Sequence, residues 1–362
     1  MNTPFKNYKT LVEYNFKEMK TVVFSDTKAL PRIDKLAERL QKIAKKGYAF
    51  GHQDTTSYGV GWRNNTIDYR SDINDVVGDF PGVYGFDIGQ IEHQHKNNLD
   101  DVPFDSMVVL IQKAHANGGI ITISWHADNP VSKKNSWDTT VAVKHVLKGG
   151  SHHNLYCLWL SRVAKFMKCL YDVNGDLIPI AFRPFHEMNG AWFWWGNPNV
   201  SPAEYQQLWQ QTVGLLRKTF KVHNLCYVYA PNLVQNTTDY LLNYPGDDHV
   251  DCLGIDLYQH GTEDEFRLTL QINLEILKTI ATEKSKPFAI TEIGLEKVTH
   301  ASWWTNVLDQ VIAKSGTAWV LIWRNHSKEH FYAPFPGQES AIDFSIFKNQ
   351  KHVLFLNDIK YI

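Results

Sequence analysis

Eight short apolar runs recur along this chain, each followed by a segment of different character. They are 48–52 (YAFGH), 82–88 (GVYGFDI), 119–126 (GIITISWH), 177–187 (LIPIAFRPFHE), 225–232 (LCYVYAPN), 251–258 (DCLGIDLY), 287–294 (PFAITEIG) and 318–325 (AWVLIWRN). Apolar and β-branched residues dominate each run, as in strands buried on both faces. Between them, 104–117, 154–172, 263–283 and 302–314 repeat apolar residues at helical spacing. Ser201-Pro202-Ala203-Glu204 reads as a helix start, with Ser at the N-cap, Pro at N1 and Glu at N3. This alternation predicts an α/β fold, a (β/α)₈ TIM barrel forming a single domain over 1–362, with 1–46 as an N-terminal extension whose helix packs on the barrel. A doubly wound sheet competes, but it usually carries a Gly-rich phosphate loop, and neither GxGxxG nor GxxxxGK[ST] occurs here.

A barrel gathers its chemistry at the C-terminal ends of its strands. In this order those ends carry His52, Asp87, Trp125-His126, His186-Glu187, Asn232, Asp256 with Tyr258, Glu292, and Trp323-Arg324. Glu187 and Glu292 are the candidate catalytic pair. Each closes an apolar run, and the fourth and seventh strands face each other across a barrel mouth. Partial burial and a like-charged neighbour raise a carboxyl pKa, so two carboxyls in different surroundings divide into an acid and a nucleophile. Retaining glycoside hydrolysis uses such a pair at a separation of about 5–5.5 Å. Strand alternation puts 183, 185 and 187 on one face, which aims Arg183 into the barrel. There it would pair with Glu292, or alternatively with Asp87.

The aromatics fit the same reading, because indole faces stack on the C–H faces of sugars. Trp125, Trp192, Trp323 and Tyr258 are placed to line such a cleft, with Trp137 as a more distant platform and one of Trp194 and Trp195 in the core. His126 and His186 end strands and are placed to bond sugar hydroxyls. HQH at 93–95 looks like a metal fragment, but carboxylates at matching spacing are missing and HExxH is absent. The expectation is no metal and no cofactor.

Composition closes off other classes. The 37 basic and 38 acidic residues leave a net charge of −1, too little for a nucleic-acid binder. No run approaches the ~20 apolar residues of a membrane span. The cysteines at 157, 169, 226 and 252 form no CxxC pair and read as buried free thiols. The start, MNTPFKNYKT, has no apolar h-region, so no signal peptide is expected in it, and the chain reads as cytoplasmic or as an exported protein whose signal has been removed.

Together, GHQ at 51–53, GFD at 85–87, SWH at 124–126, RPFHEMNGAWFWWG at 183–196, GIDLY at 254–258, ITEIG at 290–294 and IWRN at 322–325 resemble glycoside hydrolase family 26 over roughly 47–330. The resemblance implies a retaining β-1,4-mannanase, with Glu187 as acid/base and Glu292 as nucleophile. His186, Trp192 and Tyr258 would contact the sugar at the cleavage site, with Trp323 as its platform. His126, Asp256 and Arg324 would bind the non-reducing side, while Arg183 and Trp125 support the site. The partner would be β-mannan or manno-oligosaccharides, bound by a monomer, and a polymeric substrate implies a secreted or periplasmic enzyme. β-1,3-Xylan and mixed-linkage β-glucan are rival substrates, and a non-catalytic polysaccharide-binding barrel is the rival of another class. The polar segments 89–103 and 127–153 would decide endo against exo action; the second is expected to shape the non-reducing end and favour mannobiose.

Overall fold

The computed structural model describes residues 25–64 and 68–362. Eight strands form its centre: β1 (Tyr48–Gln53), β2 (Val83–Asp87), β3 (Ile120–Trp125), β4 (Ile180–Pro184), β5 (Leu225–Tyr229), β6 (Cys252–Tyr258), β7 (Phe288–Gly294) and β8 (Trp319–Ile322). Each pairs in parallel with its sequence neighbour, and β8 pairs with β1 to close the ring. The expected (β/α)₈ barrel is therefore present. A short strand, β9 (Val353–Leu354), pairs with the start of β1.

Alternation sorts the side chains into two cores. Phe50, Ile121, Phe182, Leu253, Ile290 and Val320 point outward into the layer shared with the helices. Ala49, Ala181, Cys226, Cys252, Ala289 and Trp319 fill the interior. Helix α1 (Pro31–Lys46) buries Ile33, Leu36, Ala37, Leu40 and Ile43 against that interior set. This helix covers the strand-start end, while residues 1–24 lie outside the described residues. Among the cysteines, Cys226 and Cys252 are buried as expected, but Cys157 is only half-buried and Cys169 is exposed; all four are free thiols. The helical pattern of 154–172 turns the last two away from the core.

Helices α2 (Phe104–Ala116), α3 (His153–Cys169), α4 (Pro202–Gly214) and α5 (Glu263–Lys284) follow the expected segments closely. Ser201 and Glu204 form the reciprocal cap that their spacing predicts. The 302–314 segment differs: a π-turn over Trp304–Leu308 precedes a short helix, Asp309–Ile312. The wide turn accompanies a crowded aromatic contact, with Trp303 and Trp304 rings 4.9 Å apart, edge to face.

Two local departures from ideal strands set the rim. β4 ends at Pro184, and both Phe185 and Glu187 adopt left-handed backbone, φ 50° and 53°. Phe185 packs outward against Trp125, Trp194 and Trp195, so the expected sharing of one face by 183, 185 and 187 fails. In β7, Ile255 of β6 is opposite Ile290 but Asp256 is opposite Glu292, and β8 skips a residue of β7 in the same place. Thr291 is thus the extra residue of a β-bulge, a device that re-aims the side chain after it.

Candidate active site

The bulge decides where Glu292 points. Unbroken alternation from the outward Ile290 would send Glu292 outward too. With one residue added, Glu292 enters the barrel and Ile293 takes the outward place in the core. There Arg183 Nη2 donates to Glu292 Oε1, and Tyr258 Oη donates to Oε2 at 2.6 Å. Arg183 is itself buried and donates Nη1 to Asp256 Oδ2 at 2.7 Å. Burial alone would make Arg183 easier to deprotonate, but Asp256 and Glu292 hold it firmly charged. The Arg183–Glu292 pairing expected from sequence is found, and the alternative with Asp87 is not.

Asp256 needs correcting. It is fully buried below Glu292, between Arg183 and Thr291, whose Oγ1 donates to Asp256 Oδ1 at 2.6 Å. It neutralises the inward Arg and does not reach a cleft ligand. Trp125 needs the same correction: it faces the helix layer with no exposed surface and donates Nε1 to Glu92 Oε2 at 3.0 Å. Trp194 and Trp195 are both fully buried, where only one was expected to be. Their indole N–H groups satisfy the carbonyls of Ala127 and His186 at 2.9 and 2.8 Å.

Glu187 lies against neutral donors instead of a cation. Trp192 Nε1 donates to its Oε2 at 2.8 Å and Asn232 Nδ2 to its Oε1 at 3.1 Å. Burial, and then the charge of Glu292, push its carboxyl up to about 7. Gly190 makes the indole contact possible, since a Cβ there would come within 2.3 Å of the Trp192 ring. The short run from Glu187 to Trp192 therefore folds its own aromatic back onto its own carboxyl.

His126 and Trp323 form the neighbouring wall. Asp87 Oδ2 takes His126 Nδ1 at 2.7 Å, and Ser124 and the Gly89 N–H also donate to that carboxylate. Burial would lower the His126 pKa, but Asp87 outweighs it and raises it. His186 is the opposite case: burial, and then Arg183, hold it well below its ordinary value, as a neutral ring 4.0 Å from Glu292 Oε1. Trp137, 48% exposed, stacks on His126 with centroids 5.2 Å apart and planes at 13°. It arrives from the 127–153 segment, which Asn129 ties down through the carbonyls of Asp138 and Thr140.

Arg324 reaches across to the 89–103 segment, where it pairs with Asp100 and approaches Tyr58 Oη at 3.2 Å. Sequence reasoning misses Asp100 and Tyr58, since neither ends a strand. It also leaves Asn232 unassigned, although its place at the end of the run beside Glu187 is a usable signal.

Glu92, His93 and Asp128 approach one another closely, as do His186, Asp256 and Glu292. The carboxylates that spacing could not find beside HQH are thus present, because Asp128 comes from the next loop. Every carboxylate in both groups is already engaged. Glu92 accepts from Trp125 and the Asp128 N–H, and Asp128 accepts from Gln90 and His93. In the second group the Arg183 guanidinium bridges both acids, the place a cation would take. The donor sets fit hydrogen-bonded frameworks better than ion sites.

The pair Glu187 and Glu292 can therefore divide proton and nucleophilic work. One carboxyl holds its proton near neutral pH among neutral donors, and the other is anchored by a cation. The family model described as glycosyl hydrolase family 26 matches residues 26–329. A mannan endo-1,4-β-mannosidase of Bifidobacterium adolescentis is 30% identical over 90% of this chain, which spans 35% of that protein's length. One of Bacillus subtilis is 28% identical, over 70% of this chain and 68% of that one. The structure of a GH26 β-mannanase from Bacteroides ovatus superposes with a TM-score of 0.89 at 39% identity, covering 92% of this chain and 98% of that one. An endo-β-1,4-mannanase of Cellulomonas fimi gives 0.86 at 34% identity, covering 94% of this chain and 79% of that one.

Proposed function

We propose, for a chain that belongs to glycosyl hydrolase family 26, cleavage of β-1,4-mannosidic bonds in mannan with retention of configuration. The observation that carries this reading is the contrast between its two rim carboxyls. Glu292 is anchored through both oxygens by Arg183 and Tyr258, whereas Glu187 is raised to about 7 among neutral donors. In the first half-reaction a Glu292 oxygen bonds to the anomeric carbon as the glycosidic C–O bond breaks. Glu187 gives its proton to the leaving oxygen. In the second, Glu187 takes a proton from water, the water oxygen bonds to the anomeric carbon, and the electron pair of the ester bond returns to Glu292.

Trp192, Trp323 and Trp137 serve as sugar platforms in this reading, and His126, His186 and Tyr258 as hydroxyl partners. The Arg324–Asp100 pair binds a sugar beyond the cleavage site. The relatives named above act on mannan by their names, and mannan is the substrate we assign. Among the described residues, no helix is long and apolar enough to cross a membrane. A polymeric substrate is the support for a location outside the cytoplasm.

The test is a product time course on unsubstituted β-1,4-mannan, with β-1,3-xylan and mixed-linkage glucan in parallel and Glu187→Ala and Glu292→Ala as controls. Mannan cleavage lost in both variants is expected. A ladder of early products means internal attack, and mannobiose alone means attack from a chain end. Turnover of another glycan and not mannan overturns the substrate; no turnover of any overturns the enzyme.

A further inference from the structure

We infer that Asn232 is a positioning residue for Glu187, whose side-chain amide is locked so that it aims an N–H at Oε1 and steadies the carboxylate for the water-attack half of the reaction. This rests on the acid/base reading of Glu187 given above.

The lock is visible at both ends of the amide. Asn232 Oδ1 accepts the Leu233 N–H at 2.8 Å, while Nδ2 donates to Glu187 Oε1 at 3.1 Å. Turning the amide over would set its oxygen against a carboxylate and its NH₂ against an N–H, so one orientation wins on both sides. The backbone is held as firmly. Asn189 Oδ1 accepts the Asn232 N–H at 2.8 Å, and Asn189 Nδ2 donates to the Asn232 carbonyl at 3.0 Å. The Glu187 N–H donates to the Ala230 carbonyl at 2.8 Å. A two-way strap therefore joins the loop after β4 to the loop after β5, and Asn232 is its end nearest the reacting group.

Trp192 on the other oxygen differs in kind. It is 39% exposed in the cleft wall, where a sugar would touch it. Asn232 belongs to the frame. The charged and titratable groups facing Glu187 are Arg183 on β4, Asp256 and Tyr258 on β6, and Glu292 on β7. Of the neutral donors that oppose burial and Glu292, Asn232 and Trp192 are the two in contact. An N–H held on a carboxyl favours its ionised form. Losing it makes Glu187 harder to ionise and free to turn away from the incoming water.

The experiment uses 2,4-dinitrophenyl β-mannobioside, whose leaving group departs without an acid, so that breakdown of the glycosyl-enzyme limits turnover. Glu187→Ala should be slow and restored by azide, an anion that attacks without losing a proton. Asn232→Ala should lower kcat about 10- to 100-fold, part of the 10²–10⁴ that a general base supplies, and azide should restore part of it. On manno-oligosaccharides the alkaline limb of kcat/KM should move up by about half to one pH unit, as one hydrogen bond allows. Asn232→Ser, whose hydroxyl still accepts the Leu233 N–H but falls short of Glu187, should do the same and serves if the Ala variant does not fold. A folded Asn232 variant with the wild-type pH profile and no response to azide overturns the inference. Failure of azide to restore Glu187→Ala overturns instead the acid/base reading on which it rests.

Discussion

Tyr258 donates its hydroxyl to Glu292 Oε2 at 2.6 Å, on the oxygen that Arg183 leaves free. One carboxylate is thereby fixed at both ends, by a phenol at the cleft and by a cation beneath it. The phenol is half-buried and its loss leaves no buried charge unpaired. Tyr258→Phe should therefore lower kcat/KM about 10- to 100-fold, the equivalent of the ~1.5–3 kcal/mol of a hydrogen bond to a charged group. Its melting temperature should stay close to wild type. Steady-state kinetics beside thermal unfolding check both halves.

Arg183 should behave in the opposite way. Its removal leaves Asp256 and Glu292 buried and facing each other. Arg183→Met should cost about 3–5 kcal/mol of stability, the usual result of breaking one side of a buried ion pair. Adding Asp256→Asn should recover part of the loss by deleting one of the two orphaned charges. Urea unfolding of the single and double variants measures this, and additive losses would contradict a shared ion network.

The pH dependence follows from Glu187. Its folded-state value of about 7 lies above the ordinary carboxyl range, so glycosidic cleavage should fall as pH rises through about 7. The sign for stability is the same. The folded state holds this proton more tightly than the unfolded chain, so the group's contribution to stability declines from about pH 4.5 to about 7 and stays low above that. Glu187→Gln should abolish mannan cleavage yet be more stable than wild type by about 1–3 kcal/mol at pH 8, with no gain at pH 4. Thermal unfolding at the two pH values decides it.

Two tryptophans that look alike in the sequence should separate cleanly. Trp137 is half-exposed over His126, and Trp125 is wholly buried. Trp137→Ala should raise KM for manno-oligosaccharides by about 5- to 10-fold, the scale of one lost aromatic contact, with little change in melting temperature. Trp125→Ala should lose about 3–5 kcal/mol of stability. Equal effects of the two on KM would mean that Trp125 reaches the cleft after all.

By itself the sequence determined the number and order of the strands, because burial on both faces writes the same apolar run eight times. It also marked Glu187 and Glu292, since two carboxylates closing apolar runs on strands that face each other across a barrel mouth, with aromatics alongside, suit a division of acid and nucleophile. The Ser201 cap and the Arg183–Glu292 pair were legible for similar reasons, one a local hydrogen-bond motif and the other a requirement that an inward charge be met. Only the tertiary structure decided which way those ends point. A bulge at Thr291 and left-handed backbone at Phe185 and Glu187 each break the alternation on which side-chain direction depends. Such breaks are set by register against neighbouring strands, and no short stretch of chain encodes them. Asp256 and Trp125 keep the alternation of their strands, which sends one inward beneath Glu292 and the other outward with Ile121 and Ile123, while Asp100 and Tyr58 meet Arg324 from segments distant in the chain.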